Sequence, residues 1–180
     1  MRRLTGALLL AGCAIPALAL TANSGAGATT PGTSCSKAAG TITFQPPIPV
    51  KGPVTVKIII KGTLSGCKGG GVTSGAVNGT EKFPVKVDCQ VLLAGKAGNP
   101  SGTQTVKWNT TKTSTIAVHG VTSTSQLDPH TQGKVTAGLF LGKKMDQTVH
   151  VDKINPSSGA CSTAALKSLH YIQKTAFKLS

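Results

Sequence analysis

An all-β domain, an antiparallel β-sandwich that is immunoglobulin-like or related, is what this sequence predicts, on three observations. First, the stretch Val54-Thr55-Val56-Lys57-Ile58-Ile59-Ile60-Lys61-Gly62 places apolar side chains at even positions and Thr or Lys at most odd ones. Strand side chains point alternately to opposite faces, so this stretch reads as a strand with one face on a core. Ile59 interrupts the polar face and marks the strand as central. Second, similar short runs recur along the chain, punctuated by Gly, Pro and Asn. Third, no segment shows a convincing 3.6-residue apolar period, and only Ala160 to Ser168 could form a turn or two of helix.

Taken in order, Gly40 to Phe44 alternates, and Pro46, Pro47 and Pro49 end that strand because proline cannot donate to a ladder. The strand from Val54 runs on toward Cys67. Lys68-Gly69-Gly70-Gly71 is a turn, without the spacing or the following Lys-Ser/Thr of a phosphate-cradling loop. Val85, Val87, Cys89 and Val91 alternate with Lys86, Asp88 and Gln90 and predict a strand, and Val106-Lys107-Trp108 predicts another. Further strands are expected at 114–121, 133–141 and 147–152. Leu169, Tyr171, Phe177 and Leu179 share one parity and predict a long, irregular last strand. The expected core is Val56, Ile58, Ile60, Val87, Val91, Val106, Trp108, Val118, Val135 and Leu139. Two V-T-x-G-x-x-x-G segments begin at Val72 and Val135, and two V-x-V-D segments begin at Val85 and Val149. Two pseudo-repeated meanders packed face to face would satisfy that echo.

Residues 1–28 read as a signal peptide: Arg2 and Arg3, an apolar run from Ala7 to Leu20, and a small-residue cleavage site at Ala26-Gly27-Ala28. The apolar run is too short for a transmembrane span. Leu10-Ala11-Gly12-Cys13 matches a bacterial lipobox that would leave Cys13 lipidated at the cell surface. Apolar residues continue past it to Leu20, so the cleaved, secreted form is the expectation. Residues 29–39 are expected to be a flexible arm, and 40–180 a single domain with enough chain to bury a core.

After the leader, Cys35, Cys67, Cys89 and Cys161 remain. An even count in an exported protein implies two disulfides. Pairing Cys67 with Cys89 and Cys35 with Cys161 would tie neighbouring strands and the two ends of the domain. Zinc needs closer pairs, and no Cys-x-x-Cys is present.

The order Phe44-x-Pro46-Pro47, Gly62-Thr63-Leu64-Ser65-Gly66-Cys67, Cys89, Val106-x-Trp108, Gly133-x-Val135-Thr136-x-Gly138-x-Phe140-x-Gly142 and Cys161 resembles small secreted proteins of high-GC Gram-positive bacteria. These are generally left as uncharacterised. The resemblance implies an exported, disulfide-bonded β-rich domain and brings no activity or site with it.

No residue frame for catalysis is present. No serine sits in a nucleophile-elbow motif, Asp128-Pro129-His130 reads as a turn, and no pair among the five carboxylates stands out. The expectation is a non-catalytic protein without cofactor or metal. The alternative, a secreted metal-binding protein or enzyme, would use His119 and His150, which fall at equivalent places in the echo, on the faces opposite the valines. Asn78-Gly79-Thr80 and Asn109-Thr110-Thr111 fit the glycosylation pattern but are expected at turns.

Charge is the strong anomaly. Beyond the leader stand 17 lysines, no arginine and five acids, a net +12. Lys57, Lys61, Lys86 and Lys107 alternate with core positions and so face outward, as a spaced row suited to diffuse attraction of a polyanion. Without arginine, and with six aromatics in all, sequence-specific nucleic-acid binding and sugar stacking are disfavoured. An anionic cell-envelope polymer or lipid surface is the expected partner.

Overall fold

The computed structural model describes residues 31–122, 125 and 127–180; the expected signal peptide, with Cys13, lies outside them. Nine strands form one antiparallel sheet: β1 (Thr33–Ile48), β2 (Lys57–Lys68), β3 (Ser74–Lys82), β4 (Ser101–Trp108), β5 (Thr113–Val121), β6 (His130–Gly138), β7 (Lys144–Asn155), β8 (Leu166–Gln173) and β9 (Phe177–Leu179). Each strand from β1 to β7 pairs with the next, and β1 pairs with β2 on one edge and with β8 and β9 on the other. The sheet is therefore closed into an eight-stranded up-and-down barrel. The expected pair of stacked sheets is corrected to one sheet wrapped on itself. Alternation reports which face is buried, and a sandwich and a barrel bury the same face.

β8 and β9 act as one closing strand with a break. Between them, the N–H groups of Lys174 and Thr175 both donate to the Thr148 carbonyl, and Thr148 N–H donates to Thr175 Oγ1. This matches the long, irregular last strand that the sequence predicts.

Inward positions fill the barrel, as eight strands allow. One core cluster, nearer the end where β2 turns into β3, gathers Leu64, Val106, Trp108, Phe140, Met145 and Phe177. The other, nearer the opposite end, gathers Phe44, Ile48, Val56, Ile58, Val87 and Tyr171. Eight of the ten expected core residues are buried, and Val91 and Leu139 are partly buried against the same clusters. Trp108 stands edge-on to Phe140, with ring centroids 5.4 Å apart, and its Nε1–H donates to Ser114 Oγ at 2.8 Å. Gly40 and Gly62 face Tyr171, whose hydroxyl would lie 2.6 and 2.2 Å from a Cβ at those positions. Only glycine leaves that ring room.

Three further expectations change. Thr33 to Ala39 is strand rather than arm, with Thr33 buried and its hydroxyl donating to the Lys68 carbonyl. The run from Val85 to Val91 is not a strand. Val87 makes a single bridge to Val54, after which Asp88 caps a short helix, α1 (Cys89–Leu93), by accepting from Val91 N–H at 2.9 Å. A local side-chain bond to the backbone thus outcompetes a period-2 pattern. The echoed segments also differ: Val72 lies in a turn and Val135 within β6, while 85–88 is loop and 149–152 is strand. The echo is a recurrence of strand-favouring composition, not of structure. Asn109 sits at a turn as expected, but Asn78 lies inside β3.

The disulfides are Cys35–Cys67 and Cys89–Cys161, not the pairing expected. Cys35 and Cys67 are direct register partners on β1 and β2. Cys67 and Cys89 are separated by the length of β3, about 30 Å for nine residues. Non-reducing peptide mapping should return these two pairs and no free thiol among the four. With 32 and 72 residues between partners, each link contributes roughly 4 kcal/mol in the chain-entropy model. Changing both members of either pair to Ser should cost about 2–5 kcal/mol by denaturant titration. Trp108 is 2% exposed, so its fluorescence maximum should be blue-shifted from that of indole in water and move red on unfolding.

Candidate functional site

Pleat and register decide which lysines meet. Lys57 and Lys61 face outward on β2, Lys107 faces outward on β4, and Lys86 is exposed in the 83–88 loop. Lys57 lies directly opposite Lys82 on β3, a partner that alternation along either strand alone does not reveal. Lys86 follows Lys82 at the same end of the barrel. Lys61 stands four residues along β2 from Lys57, about 13 Å away. Lys107 does not join this group. It pairs with Ala76 and Thr113 toward the other end, about 20 Å from Lys57 by strand spacing. A second direct lysine pair, Lys134 on β6 and Lys144 on β7, lies elsewhere on the wall.

Like charges directly opposite on a sheet repel by a few tenths of a kcal/mol or more. No acid offsets this repulsion, because every carboxylate is engaged. Glu81 and Asp88 are buried. Asp128 accepts from Lys174 Nζ at 2.6 Å and binds His150 Nδ1 at 2.8 Å, and these two partners, Lys174 first, pull its carboxyl down to about 2. Asp152 binds His170 Nδ1 at 2.6 Å and is held below the usual carboxylate range by that bond. Asp146 binds His130 Nε2 at 3.2 Å and accepts from Gln132 Nε2 at 3.1 Å. Among the described residues, Lys174 is the one lysine within ion-pair distance of a carboxylate.

Three His–Asp pairs on β6, β7, β8 and the preceding loop are a feature that the sequence does not disclose, since each joins residues 16 to 22 apart. The alternative metal-binding reading needs His119 and His150 on adjacent strands, and the topology does not bring them together. His119 is on β5 and His150 on β7, with β6 between them, about 16 Å apart by strand spacing and register. Among the described residues no three His, Cys, Asp or Glu side chains converge as a metal site.

The outer wall of β2, β3 and β4 carries a shallow, open depression of about 320 Å³ lined by Ile59, Lys61, Asn78, Thr80, Thr103 and Thr105. A small-molecule site encloses most of its ligand. This surface instead offers hydroxyls, an amide and a cation to something extended laid across it. Among the described outward positions here Lys, Thr and Asn dominate, the reverse of the apolar band on a membrane-spanning barrel.

Comparison with protein-family models, with curated proteins and with solved structures finds no match.

Inside the wall, Glu81 accepts from Gln104 Nε2 at 2.9 Å. Burial pushes its carboxyl up, and the Gln104 bond only partly opposes this. Burial, and then the nearby Glu81, push the Tyr171 hydroxyl up to about 12. A carboxyl raised in the folded state contributes fully below its unfolded value, near 4.5, and that contribution is lost as pH rises through the folded value. Glu81→Gln, neutral throughout and able to keep one hydrogen bond to Gln104, should therefore raise the melting temperature at pH 7, with the gain vanishing near pH 4. An equal difference at both pH values would show that Glu81 is not held against its charge.

Proposed function

We propose that this protein is an exported, non-catalytic β-barrel that associates with the anionic cell envelope, or another polyanion, through outward lysines at one end of its wall. The observation that carries the reading is the in-register Lys57–Lys82 pair, with Lys86 and Lys61 nearby, in a molecule whose carboxylates are either buried or bound by other side chains. Two like charges held side by side lose their repulsion when an anion bridges them. Their spacing suits a polymer carrying repeated negative charge better than a single small anion. Export is supported by the leader and by four cysteines joined in two disulfides. The resemblance to small secreted proteins of high-GC Gram-positive bacteria points the same way.

The test is binding of a soluble polyanion such as dextran sulfate, followed across a salt titration. Affinity should fall steeply through the physiological range, where the Debye length is about 8 Å. Lys57→Glu with Lys82→Glu should weaken binding by about tenfold or more, while the melting temperature hardly moves, since exposed charges contribute under about 1 kcal/mol. Lys68→Glu with Lys112→Glu changes net charge equally at exposed sites at the opposite end of the barrel and should weaken it less. Equal weakening by both pairs, or no binding at low salt, would overturn the reading.

A further inference from the structure

The same end of the barrel carries a second property. Six large apolar side chains are exposed among the described residues: Val85, Leu93, Leu127, Leu141, Ile154 and Ile172. Scattered singly, such residues need no explanation. Here four of them share one end, the end where β3, β5 and β7 finish and β2, β4 and β8 begin. Val85 (47% exposed) is in the loop after β3, and Leu93 (57%) is the last residue of α1. Leu127 is in the β5–β6 connection, and Ile154 is next to the end of β7.

The loops that hold Val85 and Leu93 are fixed from several directions. Val54 and Val87 form a two-way backbone bridge, Gly52 N–H donates to Asp88, and Cys89 N–H donates to the Pro49 carbonyl. The Cys89–Cys161 disulfide ties α1 to the turn before β8, and Gly120 N–H donates to the Pro100 carbonyl. The apolar side chains are thus offered on a braced surface. Around them stand Lys51, Lys86 and Lys96 in the loops, and Lys57 and Lys82 at the strand ends, all exposed. Of the carboxylates at this end, Glu81 and Asp88 are buried, Asp128 is held by Lys174 and His150, and Asp152 is held by His170.

We infer that this end docks on the surface of an anionic lipid bilayer, with Val85 and Leu93 entering the interfacial region and the lysines meeting headgroups. The inference rests on the polyanion reading and narrows it to a lipid source. Neither an apolar patch nor a lysine rim specifies this alone. Together they match a surface that is charged outside and apolar a few ångströms in, where apolar burial and headgroup attraction add. A second copy of the chain is disfavoured as occupant, because bringing two such ends together opposes lysine to lysine. An acidic soluble polymer would satisfy the lysines and leave Val85 and Leu93 in water.

The test is co-sedimentation of the purified protein with vesicles of phosphatidylcholine alone and of phosphatidylcholine with phosphatidylglycerol, beside binding of dextran sulfate in solution. Binding is expected to the anionic vesicles and not to the neutral ones. Val85→Ser with Leu93→Ser should weaken vesicle binding by about tenfold or more and leave dextran sulfate binding unchanged. Retention of the blue-shifted fluorescence of buried Trp108 certifies the fold of the variant. Leu141→Ser, at the opposite end, should change neither. Lys57→Glu with Lys82→Glu should weaken both. Full vesicle binding by the Val85, Leu93 variant, or dextran sulfate binding with no vesicle binding by the parent, would overturn the lipid inference and leave the polyanion reading standing. Loss of both kinds of binding in the parent would overturn both.

Discussion

The barrel depends on β1 being paired along both edges. A twisted sheet that ends in open strands must cover its edges or risk joining another chain, and closure removes the edge. β1 is long enough, at 16 residues, to take β2 on one side and both β8 and β9 on the other. The Cys35–Cys67 link lies on one of those ladders, and Tyr171 of β8 sits over Gly40 of β1 and Gly62 of β2 across the closure. The two apolar clusters are therefore enclosed by hydrogen-bonded backbone all round. The aromatic contacts among Trp108, Phe140 and Phe177 bring β4, the β6–β7 turn and β9 together at one end.

What could be read from the sequence was what depends on one strand at a time. Alternation found the buried face of β2, β4, β5 and β6, because an inward valine is inward in any closed or stacked sheet. It could not find closure, which is settled by β1 meeting β8 some 130 residues later, nor the disulfide pairing, which follows from which strand ends share an end of the barrel. The Val85 to Val91 run misled because its alternation is real while its hydrogen bonds go elsewhere, to Asp88 and Pro49. Of the candidate lysines, Lys57, Lys61, Lys86 and Lys107 were legible as outward, but their grouping was not. Lys82 became a partner of Lys57 only through register, and Lys107 was separated from it by the same register.

The acids show the same division. Five carboxylates among 17 lysines looked like simple scarcity. The fold gives each a partner or a burial site: His130, His150 and His170 hold three, Gln104 meets Glu81, and the start of α1 takes Asp88. Negative charge is thus largely spent on histidines, loops and the interior. The lysines are left facing water and one another.

That last arrangement reverses the usual effect of salt. In a protein held by many surface ion pairs, added electrolyte screens attraction and loosens the fold. Here one lysine is ion-paired among the described residues, two lysine–lysine contacts sit in register, and the domain carries +12. Screening then removes more repulsion than attraction, so the folded state gains from ionic strength. Multivalent anions that bind the folded form selectively add mass-action stabilisation to screening. The melting behaviour of this protein is therefore partly a property of the buffer that surrounds it.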